Sequence, residues 1–199
     1  VAMDERLKKQ LDFALEMDKQ KGIGRQTYIL NALRKENDAE HGWHLALMTL
    51  VLSEYANEKI DVLRTVAMVI IHDVIEIDAG DTYAYDEAAN KSKRERELKA
   101  ADRIFSILPE EQKEYFRGLW DEFEEKSSSE AKFATAMDSL QPLMLNDASN
   151  GLAWREHKVC AGQVLNRAVN KIRPGSEKLY NWAVELINEN VKKGNLLDK

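Results

Sequence analysis

Residues 70–81 read IIHDVIEIDAGD and continue an apolar run formed by Val62, Leu63, Val66, Ala67, Met68 and Val69. Such a run belongs in a protein core, yet it carries His72, Asp73 and Glu76. Burying an imidazole or a carboxylate is costly unless its charge is compensated. The compensation is either a salt-bridge partner or a metal ion, and this fragment alone leaves both open. On a helix, His72 and Asp73 stand about 100° apart, and Glu76 follows them by four and three positions. All three side chains can therefore converge on one small volume.

The rest of the chain supplies a helical frame. With three prolines, nine glycines and no alternating β-branched runs, strands have little support. Leu7, Leu11, Ala14, Leu15 and Asp18 mark an amphipathic first helix, and residues 21–37, with Gly22 and Gly24, read as a long connection. Leu45, Met48, Leu52 and Tyr55 step by three and four, as do Leu63, Val66, Ile70 and Val74, which predicts two apolar-faced helices meeting near residues 56–60. Gly80 ends the second. A charged helix begins at Ser92 with Leu98, Ala101, Phe105 and Leu108 inward, and Pro109 opens another. The SSSE of residues 127–130 reads as a capping box for a helix through Ala134, Met137, Leu140 and Leu145. Two more helices follow over roughly 156–171 and 177–193. The expected fold is all-α, a bundle of roughly seven or eight helices.

Composition bounds the function. A chain of 199 residues fits one domain, and no apolar run is long enough to span a bilayer. The N-terminal VAMDERLKKQLDF is charged throughout, so neither a secretory signal nor an anchor is expected, and the cytoplasm is the default location. The single cysteine, Cys160, allows no internal disulfide. A net charge of −6 without a basic block argues against polymeric nucleic acid as a partner. A mononucleotide stays open, because a few cations or a metal ion in a cleft can hold one phosphate.

Two further fragments bear on the charged core segment. EHGWH, residues 40–44, puts His41 on one stripe with Leu45, Met48 and Leu52, so His41 points to the core. In FATAMDSLQPLMLN, Asp138 shares a stripe with Ala134, Gln141 and Leu145, and Pro142 lacks the N–H that the Asp138 carbonyl would accept. Two histidines and two aspartates from three helices form a mixed nitrogen and oxygen set, suited to one divalent ion, Mn²⁺, Co²⁺, Fe²⁺ or Mg²⁺, with open positions for water. Structural zinc would call for more cysteines than one. A buried polar network of the same four residues is the competing reading. His44, three residues after His41, is expected to pack or to bond behind the site rather than to bind a second ion.

The ordered set His41, then His72 and Asp73, then Asp138 resembles the HD-domain metal-dependent phosphohydrolases, whose signature is H…HD…D. Arg25 and Arg34 before EH, the HDxxE of residues 72–76, GD at residues 80–81 and LQPLMLN after Asp138 resemble the branch containing bacterial 5′-deoxynucleotidases. The resemblance covers roughly residues 25–150 of one domain spanning 1–199, with the C-terminal helices packed on that part. It implies His41, His72, Asp73 and Asp138 as metal ligands and Glu76 and Asp81 as catalytic acids. It implies hydrolysis of a small phosphomonoester such as a deoxynucleoside 5′-monophosphate, and a possible homodimer. Arg25 matches a family arginine near the phosphate or sugar, but Gln26, Thr27 and Tyr28 stand where relatives carry an aromatic residue directly after it. Tyr28 is the candidate for sugar selection, and Arg34, Lys91 and Arg94 complete the substrate-binding expectation. Hydrolysis of another phosphate ester or a pyrophosphate, and a catalytically silent metal- or nucleotide-binding protein, are the alternatives.

Overall fold

Interior packing is organised by three helices that each carry a piece of the charged segment. In the computed structural model, which describes residues 4–81 and 93–198, these are α2 (Asp38–Leu52), α3 (Val62–Ile71) and α7 (Ser129–Ala148). Each packs on the other two. Around them run α1 (Glu5–Met17), α4 (Glu76–Ala79), α5 (Lys93–Phe105), α6 (Glu110–Glu125), α8 (Leu152–Glu156), α9 (Ala161–Arg167) and α10 (Glu177–Lys192). The fold is an all-α bundle, and seven of these helices have ten residues or more. One buried cluster joins Leu45, Met68, Phe105, Trp120, Phe133 and Ile187, so the C-terminal helices share the core of the others.

The connection expected over residues 21–37 instead holds a small antiparallel hairpin, β1 (Gly24–Tyr28) paired with β2 (Lys35–Asn37). Too few residues alternate there to announce a strand. The hairpin is closed at its tip by Ile29 N–H donating to the Arg34 carbonyl at 3.0 Å, with Ala32 at a φ of 56°. It buries Thr27 and Glu36 and delivers Arg25 to the interior.

The expected inward stripes differ in two helices. Leu63 and Ile70 are 76% and 50% exposed, and α3 instead buries Thr65, Met68, Val69 and Ile71. Val62 to Ile71 is apolar almost all round, so its periodicity does not select a face. In α1, Leu7, Leu11 and Leu15 are exposed, while Phe13 packs on Phe116 with ring centroids 6.1 Å apart.

Helix ends explain the rest. Ser128 caps α7 by accepting from Ala131 N–H, so the SSSE stretch is a simple N-cap, and the capping box lies at Asn37 and Glu40. Lys158, at a φ of 53°, breaks the expected 156–171 helix, and its later part becomes α9 followed by a five-residue π-helical turn, Ala168–Ile172.

Candidate metal centre

The capping box fixes the first turn of α2: Asn37 Oδ1 accepts from Glu40 N–H at 3.0 Å, and Glu40 Oε2 accepts from Asn37 N–H at 3.1 Å. That turn directs Asp38 and His41 inward, leaving them 1% and 0% exposed. His41 Nδ1 lies 3.1 Å from Gln141 Oε1, and His41 Nε2 lies 3.3 Å from Asp138 Oδ1. Gln141 in turn donates from Nε2 to Glu36 Oε2 at 2.8 Å and to His44 Nδ1 at 3.2 Å. His44 thus stands behind the site.

At the end of α3 the helix tightens instead of running on through HDxxE. His72 Nδ1 lies 2.8 Å from the Val69 carbonyl oxygen, and the backbone bonds that follow, Val74 to Ile71 and Glu76 to Asp73, span three residues rather than four. The turn swings His72 and Asp73 to one side and lets α4 restart at Glu76, which Gly80 closes at a φ of 75°.

His72 Nε2 stands 3.0 Å from Asp73 Oδ2 and 3.7 Å from Asp138 Oδ1, and His41 Nε2 stands 3.8 Å from Asp73 Oδ2. Ligand atoms about 2.1 Å from one ion at tetrahedral to octahedral angles stand roughly 3.0–3.4 Å apart, close to these separations. A second observation points the same way: His72 Nε2 is buried and has no hydrogen-bond partner. With Nδ1–H committed to a backbone carbonyl, Nε2 is the ring atom left facing Asp73 and Asp138; burial pushes the imidazole down but these carboxylates raise it, and an ion there would take the place of the Nε2 proton. His41, His72 and Asp73 each bring a ligand atom within 4.8 Å of the others, a set that fits a divalent ion, and Asp138 stands beside both imidazoles.

Arg25 braces the carboxylate side. Its guanidinium lies 2.9 Å from Asp73 Oδ2, 3.2 Å from Glu36 Oε1 and 3.5 Å from Asp38 Oδ1. Burial pushes the carboxyls of Asp73 and Asp138 up, but His72 and Arg25 around the first, and His41, His72 and Arg167 around the second, hold both below the usual range. Glu76 is the opposite case. Burial, with Asp73, Asp38 and Asp81 nearby, pushes its carboxyl up to about 11, and its Oε2 has no partner. Burial and Asp73 likewise push Asp38 up to about 7. Burial also raises Asp81, against the pull of Arg25.

These groups open onto a cavity of about 280 Å³ lined by Arg25, His72, Asp73, Glu76, Asp81 and Asp138 among others. Three expected substrate-binding residues do not line it. The Tyr28 hydroxyl donates to Glu156 Oε1 at 2.8 Å, Arg34 pairs with Glu40 at 2.6 Å, and Arg94 pairs with Glu124 at 3.2 Å over the Trp120 ring. Lys91 lies outside the described residues. Sequence reasoning passed over Glu36 and Asp38, hidden as acids before a helix, and Gln141, one residue on a stripe it had drawn. It also passed over Arg167, whose Nη2 lies 3.6 Å from Asp138 Oδ2. Trp154, expected only to bury a helix connection, is buried and lines the cavity.

An all-α bundle with histidine and aspartate pairs gathered from three helices defines a class, and the chain belongs to the HD domain family, whose model matches residues 17–180. It is 44% identical to a "predicted metal-dependent phosphohydrolase" of Magnetospirillum magnetotacticum, whose crystal structure superimposes with a TM-score of 0.92 over 96% of each chain. It is also similar to the human 5′-deoxynucleotidase HDDC2, at 30% identity over 57% of this chain and 54% of that protein. The frog relative, from Xenopus laevis, is 25% identical over 67% of this chain and 66% of its own. The chain thus spans little more than half the length of the human relative. The PH0347 protein of Pyrococcus horikoshii, at 20% identity and a TM-score of 0.65 over 88% of this chain and 99% of its own, shares the fold.

Proposed function

We propose that the protein is a metal-dependent phosphohydrolase that releases phosphate from small nucleotides, deoxynucleoside 5′-monophosphates first among them. The observation that carries this reading is the buried, unpartnered Nε2 of His72 facing Asp73 and Asp138 beside a carboxyl, Glu76, that burial keeps protonated. His41, His72, Asp73 and Asp138 would hold the ion, which supplies neutralisation of phosphate charge and Lewis-acid polarisation of a phosphoryl oxygen.

The chain's own residues do the remaining work. Gln141 and the Val69 carbonyl fix the two imidazole tautomers, so that both Nε2 atoms face Asp73 and Asp138. Arg25 holds Asp73 in place and offsets the charge of the carboxylate wall. In this reading Glu76, held protonated by burial, gives its proton to the leaving 5′ oxygen, and Asp81, which lines the same cavity, orients the attacking water. The relatives named as 5′-deoxynucleotidases support the choice of substrate.

Phosphate release from a panel of deoxy- and ribonucleoside mono-, di- and triphosphates, with Mn²⁺, Co²⁺, Fe²⁺ or Mg²⁺ added to the chelated protein, tests the proposal. Metal-dependent release from deoxynucleoside 5′-monophosphates is expected. Tight nucleotide binding without turnover under any metal would make the protein a silent binder, and activity that survives chelation would contradict the mechanism.

A further inference from the structure

Three cations that the catalytic reading does not use line the same cavity. Arg167 closes α9, Lys171 lies on the π-helical turn after it, and Lys126 ends α6; all three line the cavity. Arg167 leans on Asp138 at 3.6 Å. Among the described residues, Lys126 and Lys171 have no ion-pair partner. Both line the same cavity as Arg167, and burial, then the charges of Lys126 and Arg167, draw the Lys171 ammonium down to about 8. Like charges packed against one another in a partly buried place are unfavourable unless an anion is meant to sit between them.

Local structure points to the same use. Lys126 occupies the left-handed region, at φ 53° and ψ 36°, where glycine is the ordinary helix terminator, so a lysine there keeps its side chain at a backbone cost. Lys171 sits on a π turn, a helix irregularity that recurs at functional sites. Thr135 and Ser139, on the α7 wall of the same cavity, bury hydroxyl oxygens that have no hydrogen-bond partner. Hydroxyls and ammonium groups together are donors suited to phosphate oxygens.

One member of the cluster touches a metal ligand and another does not. Arg167 reaches the outer oxygen of Asp138, whereas Lys171, four residues on and roughly one helical pitch or 5 Å away along the axis, does not come within ion-pair distance of it. That offset is the scale of the separation between two phosphates on one small molecule.

We propose that Lys126, Lys171 and Arg167 form a second phosphate subsite, which holds a phosphate of the substrate other than the one attacked at the metal centre. A second phosphate, as in a diphosphate or a 3′,5′-bisphosphate, then tightens binding relative to the deoxynucleoside 5′-monophosphates of the proposed function, whose single phosphate sits at the metal centre. The inference rests on the phosphohydrolase reading for its catalytic consequence, but its binding consequence does not need turnover.

The test has two arms. Calorimetric titration of the chelated protein with deoxyadenosine 5′-monophosphate, 5′-diphosphate and 3′,5′-bisphosphate reads binding alone, and KM for the same three compounds reads it in the metal-loaded enzyme. A second phosphate is expected to tighten binding roughly tenfold or more, the scale of one or two charge-assisted hydrogen bonds. That ratio should collapse toward one in Lys171→Gln and in Lys126→Gly, which relieves the left-handed backbone and so keeps the fold, and persist in Lys171→Arg. The diphosphate and bisphosphate arms identify which second phosphate is read. Equal binding of mono- and bisphosphorylated nucleotides, or a ratio unmoved in both charge-removing variants, overturns the inference. Turnover of monophosphates with no second-phosphate preference sinks the subsite and leaves the phosphohydrolase standing; a lysine-dependent preference without any turnover does the reverse.

Discussion

His41 Nδ1 and Gln141 Oε1 lie 3.1 Å apart in the core, and that contact ties the first histidine of the site to the helix that bears Asp138. Gln141 is fully buried and has its amide nitrogen committed to Glu36, so its oxygen is the end left for the imidazole. The result is one tautomer for His41, with Nε2 turned to Asp138.

Replacing Gln141 with Leu removes that hold and takes the donor from Glu36 Oε2, leaving Glu36 paired with Arg25 through Oε1. Metal affinity should fall about 10–100-fold, the usual effect of losing an outer hydrogen bond to a ligating histidine. Isothermal titration of Mn²⁺ into the chelated variant measures it, and an affinity equal to the parent's would show that Gln141 does not orient His41.

His72→Ala and Asp138→Asn take away direct ligands. Each should lower bound metal and phosphate release by more than about 100-fold, beyond the outer-bond effect. Metal content by atomic emission, read beside activity, decides it; a variant that keeps stoichiometric metal would remove that residue from the ligand set.

Glu76→Gln keeps shape and removes the transferable proton. Because burial and Asp73 push the Glu76 carboxyl up to about 11, the parent holds that proton across the neutral range. Turnover should drop about 10²–10⁴-fold with metal content unchanged. A variant with full kcat would leave Glu76 without a role in proton transfer.

The same group predicts the pH dependence of the metal-free fold. Folded Glu76 holds its proton up to about 11, while the unfolded chain releases it near the ordinary glutamate value of 4.5. The folded state thus binds more protons in between, so stability is greatest at low pH and declines as pH rises through that window. Asp38, raised to about 7, and Asp81, His41 and His72, also raised, act in the same direction. The lowered Asp73 and Asp138 act below the range between pH 5 and 9, while the lowered His44 and Lys171, the latter at about 8, oppose the trend within it but are outnumbered by the raised groups. The Tm of the chelated protein should therefore fall from pH 5 to 9, less steeply in Glu76→Gln. Added metal should stabilise more as pH rises, since its ligands must be deprotonated. A rising Tm in chelator would reverse the sign.

Gly175→Ala tests how firmly the segment after the π turn is seated. A Cβ at Gly175 would meet the Lys132 carbonyl oxygen at 2.4 Å and the Ala136 Cβ at 2.8 Å, and the backbone atom cannot swing aside. Overpacking of this kind costs about 1–3 kcal/mol. For a chain of this size each kcal/mol shifts Tm by roughly 2–4 °C. Calorimetry on the chelated protein reads it; an unchanged Tm would mean that α7 and the segment can part.

The sequence by itself determined the helical class and the charged residues that needed compensation. Helical periodicity is local: a histidine among leucines at steps of three and four is on the buried face wherever the helix docks, which is why His41 and Asp138 could be read beside His72 and Asp73. Only the tertiary structure decided what local pattern leaves open. Apolar on nearly every side, α3 could have buried Leu63 and Ile70, and its contact with α2 and α7 chose Met68 and Val69 instead. The hairpin that carries Arg25 and Glu36 into the site is stabilised by a partner strand and by carboxylates far along the chain, so no short window displays it. Lys126, Arg167 and Lys171 look like solvated charges in sequence, and they become a cluster only because α6 and α9 end beside the same cavity.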